Sequence, residues 1–326
     1  MPCLLDRLHS IRAIYTHDGR FHFDEVLAAA LLRVAGCAAP IVRTRVLPER
    51  QDDPGLLFVD VGLAFDDRNH FDHHQAGALL RDEYYHDGRA PSAPQTPYCA
   101  AGLVWRNIGA ALAARLLPDL PGERKKFFDI VDQRLLLPAD FCDNGVEHAA
   151  ASRELSLAEM VGACNSDDWY DGARQDRAFE RTLSAVQTLL DGYIRSVCTA
   201  IRGGHAIRRA FEEAIQNGRD FVLLPPEAKG SWRELLLGDD ALWQRSRQLK
   251  AVISSRNSQG TYSISMLPLS RRDRFVNRYS LPAGLKRRFP EFVFVHANGF
   301  IGILRHIDNL QAILGALVPT AAPSRD

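Results

Sequence analysis

The hydrophobic and polar positions of this chain fall into two successive sets of strand and helix patterns. Residues 11–16 form a short apolar, β-branched run that stops in polar residues and Gly19, which predicts a buried strand. From Asp24 to Val34 the residues Val26, Leu27, Ala30, Leu31 and Val34 recur at helical spacing, with Asp24 and Glu25 in the first turn, where the helix dipole favours acids. Residues 41–46 and 56–61 read as further strands, and 99–117 and 123–131 as helices. That order predicts an α/β domain with a largely parallel sheet flanked by helices. The proline-free stretch 152–217 has the densest helical patterning and predicts the helical end of this domain and a connector. Beyond it, 221–224, 248–254, 262–267, 292–296 and 300–304 read as strands and 308–317 as a closing helix, giving a smaller C-terminal α/β domain, with 319–326 a frayed tail. The expected domains are 1–200 and 201–326.

Length supports two cores, since 326 residues exceed what one usually holds. With 46% hydrophobic and 25% charged residues, the chain does not fit disordered, collagen-like or membrane-embedded classes. The most apolar stretch, 26–42, is broken by Arg33 and Pro40. Asp6, Arg7, His9 and Arg12 precede any apolar run, unlike a secretory leader, so a cytoplasmic protein without membrane attachment is expected. Cys3, Cys37, Cys99, Cys142, Cys164 and Cys198 lie far apart and form no C-x-x-C pair, which predicts reduced, mostly buried thiols.

Net charge is zero, yet it divides unevenly. Residues 1–200 carry 21 basic and 29 acidic side chains, and 201–326 carry 19 and 11. Within the second part, Arg271, Arg272, Arg274, Arg278, Lys286, Arg287 and Arg288 are offset only by Asp273, a density suited to phosphates but also ordinary for a solvated loop.

Four segments place acids or imidazoles where an α/β sheet carries its chemistry, beyond the carboxyl ends of strands. Thr16-His17-Asp18-Gly19-Arg20-Phe21-His22-Phe23-Asp24-Glu25 bridges the first strand and helix, and a tight turn at Gly19 lets His17, His22 and Asp24 converge. Asp60 ends an apolar strand, a position that by itself also suits a turn former. Phe71-Asp72-His73-His74-Gln75 is the most specific feature, because two adjacent imidazoles are poor packing residues: each needs partners for two ring nitrogens once buried. Asp143 closes a helical stretch before Asn144-Gly145. Two divalent ions roughly 3.5–4 Å apart require a bridging carboxylate and further ligands on each ion, which one loop cannot supply. Oxygen and imidazole donors without a cysteine pair favour Mn²⁺ or Mg²⁺, with Co²⁺ or Zn²⁺ compatible.

These segments, in this order, resemble the Myg-type exonuclease family, a branch related to the DHH phosphoesterases. Similar to it as well are residues 41–45, Ala101-Gly102-Leu103, Ala228-Lys229-Gly230, Arg278 with Leu281-Pro282, and His296-Ala297-Asn298-Gly299-Phe300-Ile301-Gly302. The resemblance spans the chain and implies a DHH-like domain with a two-metal site and a smaller substrate-binding domain. It implies His17, His22, Asp24, Asp60, His73 and Asp143 as metal ligands, Asp60 as the bridge, Asp72 as the residue orienting an imidazole and His74 as the one reaching the substrate phosphate. It also implies Arg278, His296, Gly299 and Gly302 as substrate contacts. The chain departs from the family at Phe23, at Cys99-Ala100 and over 303–308, where the usual small-residue and Thr/Glu pattern is absent.

The expected function is a two-metal phosphodiesterase with Mn²⁺ as the preferred cofactor, acting as a 3′-to-5′ exonuclease on RNA or short oligonucleotides. Its alternatives are a small-molecule phosphohydrolase acting on pyrophosphate or a nucleotide, and a non-catalytic, metal-stabilised nucleic-acid-binding module. Whether the chain forms a homo-oligomer is left open.

Overall fold

The computed structural model describes residues 4–81, 96–146, 156–254, 257–271 and 276–320. These fall into two compact units, Met1–Cys198 and Thr199–Asp326.

In the first unit, a short helix α1 (Leu4–Arg7) precedes strand β1 (Ala13–Thr16), which buries Ile14 and Thr16 in alternation. With β2 (Ile41–Arg43), β3 (Leu56–Val59) and β4 (His70–Phe71) it forms a four-stranded sheet in the order β2-β1-β3-β4, parallel throughout. Leu57, Phe58 and Val59 are all buried, the pattern of a strand covered on both faces. Helix α2 (Phe23–Val34) is buried without a break from Phe23 to Leu32, so it lies inside the unit and is not a surface helix with one dry stripe. It packs against α3 (Ala100–Leu116), whose Trp105 is fully buried and stacks on Phe128 at 5.3 Å.

Phe128 belongs to α4 (Arg124–Val131), which continues through a π-helical turn (Asp132–Leu136) into α5 (Leu137–Asp143). Pro138 explains the widening, because a prolyl ring inside a regular α-helix lacks an N–H and collides with the carbonyl four residues back. Helix α6 (Leu157–Ala163) is capped by the Ser156 side chain, and α7 runs from Gly172 to Gln216. The described part of the proline-free region thus holds two helices, interrupted at 164–171 by a polar turn.

The second unit holds β5 (Phe221–Leu223), α8 (Trp232–Gly238), α9 (Asp240–Arg245), β6 (Ala251–Ile253), β7 (Tyr262–Met266), β8 (Tyr279–Ser280), α10 (Leu285–Arg288), β9 (Phe292–Val295), β10 (Ile301–Leu304), α11 (Leu310–Gly315) and β11 (Val318–Pro319). Five strands form one sheet in the order β5-β6-β7-β10-β9, with β5 and β6 parallel and the other neighbours antiparallel. Ala251 and Ile253 enter one apolar cluster with Ile264, Met266 and Ile313, whereas Val252 enters another with Phe211 and Leu236. Period-two alternation therefore feeds both faces.

Several expectations need correction. The strands are shorter than the apolar runs, since β2 stops at Arg43 and β6 begins at Ala251. The tail does not begin at 319, because Pro319 pairs with Tyr279 and Thr320 N donates to Arg278 O; residues 321–326 lie outside the described ones. Of the five described cysteines, Cys37, Cys99 and Cys198 are buried and Cys142 and Cys164 are exposed.

A buried ionic knot ties the sheet side to the helices. Arg81, 2% exposed, donates to both Asp132 oxygens at 2.9 and 3.1 Å and to Asp140 Oδ2, while its guanidinium lies 4.4 Å from the Tyr98 ring centroid. Asp140 also accepts from Cys99 N at 2.8 Å, at the start of α3. Removing one partner of such a knot strands the other charges in a dry environment. Arg81→Met is expected to destabilise the fold by about 3–5 kcal/mol in denaturant titrations, and a loss under about 1 kcal/mol would show the knot to be energetically idle.

Candidate metal centre

The sheet order explains why distant residues meet. Strands β1, β3 and β4 are neighbours running in the same direction, so their carboxyl ends lie side by side at the ~4.8 Å strand spacing. His17 follows β1, Asp60 follows β3 and Asp72-His73-His74 follow β4. The loop from β1 doubles back at Gly19 (φ +84°) and delivers His22, Asp24 and Glu25 to the same end through the first turn of α2. Asp143 arrives from the last residue of α5.

Three overlapping groups of ligand atoms result, each with its members within 4.8 Å of one another: His17, His22, Glu25 and Asp60; Asp60, His73 and His74; and Asp24, His73 and Asp143. Asp60 and His73 each belong to two of them. His17 Nε2 lies 3.1 Å from Glu25 Oε1 and 3.3 Å from Asp60 Oδ2, and its Nδ1 donates to the Asp18 carbonyl at 2.8 Å, which turns Nε2 toward the acids. His73 Nε2 lies 3.1 Å from Asp143 Oδ2, 3.5 Å from Asp60 Oδ1 and 3.9 Å from Asp24 Oδ2. His74 Nδ1 meets Asp72 Oδ1 at 2.7 Å, and Asp72 Oδ2 accepts from Leu63 N at 2.7 Å, so Asp72 fixes the imidazole against the backbone. Asp60 itself sits in the left-handed region at φ +57°, a strained conformation that is common at functional sites.

The electrostatics favour a bound cation. Among the described residues, Asp24, Asp60 and Asp143 form ion pairs only with imidazoles. Both Asp24 oxygens, Asp60 Oδ1 and His73 Nε2 are buried without a well-formed hydrogen bond, although buried polar atoms are nearly always satisfied. Burial, joined by the charges of Asp60, Glu25 and Asp143, holds the Asp24 carboxyl well above the usual range. Burial also raises Asp143, against the pull of His73. At Asp60 burial is outweighed by the His17 and His73 imidazoles, which hold it below the ordinary range. The His73 imidazole is raised, with burial opposed by Asp60 and Asp143. Burial likewise opposes the charge on His17, but Asp60 and Glu25 prevail and push it up to about 10. Protons here do what divalent cations would do better, and the unsatisfied oxygen and nitrogen donors fit such ions.

Glu25 escaped the sequence reading. As the third residue of α2 its carboxylate accepts from His22 N at 2.9 and 2.8 Å, an ordinary helix-start role, yet the same group faces His17. Its adjacency to Asp24, two and three residues after His22, was the available signal. Arg43, from the 41–45 motif, braces the β1 loop by donating to Gly19 O at 2.7 Å.

The residues expected to grip substrate in the second unit also serve its own packing. Arg278 donates to Pro268 O at 3.1 Å and to Ser246 O, with its guanidinium 4.7 Å from the Trp243 ring, so its donors serve the unit's own backbone. His296 Nδ1 accepts from Asn298 N at 3.1 Å and its ring lies 4.3 Å from Phe300. Gly299 (φ +66°) would place a Cβ 2.7 Å from Leu281 O, and one at Gly302 would fall 2.7 Å from the Phe292 ring, so both are demanded by close packing. In the basic run, Arg271 reaches Asp240 and Lys286 donates to Val293 O, while residues 272–275 lie outside the described ones.

Comparison with known proteins follows the same line. The family model MYG1_exonuc, described as an uncharacterised protein family (UPF0160), matches residues 13–315. The chain is 36% identical to the MYG1 exonuclease of Bos taurus over 342 residues, covering 95% of this chain and 87% of that protein. It is 30% identical to the MYG1 exonuclease of Homo sapiens, covering 89% and 81%, and 27% identical to a MYG1 protein of Schizosaccharomyces pombe, covering 90% and 94%. Among solved structures, the pGpG-specific phosphodiesterase PggH of Vibrio cholerae is aligned over 94% of this chain and 97% of its own at 16% identity and a TM-score of 0.22, too loose a superposition to bear on geometry.

The sign of the pH effect at His17 follows from its raised value. Stability from a histidine shifted upward is complete below its ordinary 6.5 and lost as pH rises through about 10. In chelator, the stability advantage of the parent over His17→Asn should therefore shrink between those limits. With Mn²⁺ it should grow with pH instead, because ligand protons must leave. Chemical denaturation at stepped pH reads both, and a flat difference without metal would remove His17 from the charge balance.

Proposed function

Because the chain belongs to the MYG1_exonuc family, we propose that it is a metal-dependent phosphodiesterase, a 3′-to-5′ exonuclease on RNA or short oligonucleotides that works with two divalent ions, Mn²⁺ preferred. The observation that carries this reading is the set of buried, unsatisfied carboxylate and imidazole atoms beyond three adjacent parallel strands. Such a concentration of negative charge destabilises a fold unless it binds cations.

His17, His22, Glu25 and Asp60 would hold one ion, and Asp24, His73 and Asp143 the other, with Asp60 reaching toward both sets through His73. Bound there, the two cations would lower the pKa of the attacking water and offset the charge that builds on the phosphoryl oxygens. The chain's own residues do the rest. Asp18 O holds the His17 ring so that Nε2 stays a lone-pair donor. Asp72 holds His74 by Nδ1, and with that side chain 54% exposed its Nε2 is free to donate to a substrate phosphate oxygen when the ring is charged. No described helix is long and apolar enough to cross a membrane.

Purified protein with Mn²⁺ is expected to shorten an end-labelled oligoribonucleotide one residue at a time and to stop in chelator. His73→Ala should lower kcat/KM by about 100-fold or more, and Asp72→Asn by about 10–100-fold through a misaligned His74. Undiminished activity in His73→Ala would overturn the metal assignment. Faster release from pyrophosphate than from any oligonucleotide would move the reading to a small-molecule phosphohydrolase.

A further inference from the structure

We infer that a cavity beside the metal centre, about 330 Å³ in volume, receives the nucleoside of the substrate's terminal nucleotide, with Arg20 at its edge meeting the phosphate. The assignment rests on the phosphodiesterase reading above and adds to it the portion of substrate that is read.

The cavity lies wholly within the first unit and joins two kinds of wall. His22, Asp24 and Asp143, three of the proposed ligands, form one side. Phe23, Ala139 and Ala158 give much of the remainder an apolar surface. With cations held by that wall, a ligand fitting both would carry an anionic group at one end and a weakly polar body at the other, as a nucleotide does. The volume sits at the low end of the ~300–1,000 Å³ range of small-molecule sites, enough for one nucleoside and too small for a stacked run of bases.

Three details support an open, preformed receptacle. A Cβ added at Gly162, on the α6 wall, would meet no atom within 4 Å, so the helix there faces empty space. The wall is rigid, because Asn165 clamps the loop by accepting from Phe21 N and donating to Phe21 O, both at 2.9 Å, and donates to Gly162 O at 3.0 Å. Its amide is thereby spent on structure, which leaves Glu159 as a hydrogen-bonding group on that wall. Arg20 forms no hydrogen bond or ion pair among the described residues despite its acid-rich surroundings, which leaves a cation for an incoming phosphate.

Cys142 lines this cavity and is exposed, whereas Cys164 is exposed but does not line it. Alkylation of the two by iodoacetamide in alkaline buffer with Mn²⁺, followed by peptide mass spectrometry, therefore reports occupancy without any turnover. Adenosine 5′-monophosphate should slow labelling of Cys142 by about tenfold or more at saturation and leave Cys164 unchanged, and inorganic phosphate at the same concentration should give no comparable protection. Equal protection by phosphate, or none by the nucleotide, would overturn the inference. Gly162→Leu, which fills the space, should abolish that protection and raise KM for a dinucleotide by about tenfold with a much smaller change in kcat; an unchanged KM in a folded variant would count against the cavity. Protection by the nucleotide in a protein that hydrolyses no oligonucleotide would sink the phosphodiesterase reading while supporting the receptacle.

Discussion

Asp60 is the point on which the first unit turns. It follows a strand whose last three residues are buried, stands in a left-handed backbone conformation, and places its two oxygens toward imidazoles from two different loops. Burying such a carboxylate costs several kcal/mol unless opposite charge surrounds it, and among the described residues only histidines pair with it. With Asp24 and Asp143 beside it, the acids raise the His17 and His73 imidazoles, so that those two hold their protons more tightly than free histidines do. The same groups of carboxylate and imidazole atoms suit a divalent cation.

Support for this cluster reaches well beyond its ligands. Asp72 holds His74, Asp18 O holds His17, Arg43 braces the Gly19 turn, and Asn165 clamps Phe21. Farther out, Arg81 links Asp132 and Asp140, the latter one helical turn before Asp143 on α5. That knot orients the helix that delivers the last carboxylate. The placement of these side chains therefore rests on hydrogen bonds and buried charges outside the cluster itself.

The second unit is organised differently. Its mixed sheet is covered on both faces by apolar clusters, and residues that resemble substrate contacts in sequence are engaged in packing or in backbone hydrogen bonds. Gly299 and Gly302 show how a motif can carry two meanings. A glycine demanded by a neighbouring backbone or ring looks the same in sequence as one that lets a phosphate approach. The basic balance of this half is likewise shared between internal bonds and free surface.

Much of the centre was legible in the sequence because its chemistry is local. A pair of imidazoles after an aspartate, and three ligand-type residues within one turn-forming loop, announce themselves without coordinates. The strands and helices around them follow from periodicity, apart from β4, whose two residues, His70 and Phe71, are too few to show a pattern. Glu25 was hidden because its place at a helix start already explained it. What only the tertiary structure decided is which strands are neighbours, since parallel pairing joins residues far apart in the chain and leaves no mark on either segment alone. The order β2-β1-β3-β4 brings three carboxyl ends together, and that adjacency turns scattered acids and imidazoles into one site with a cavity at its side.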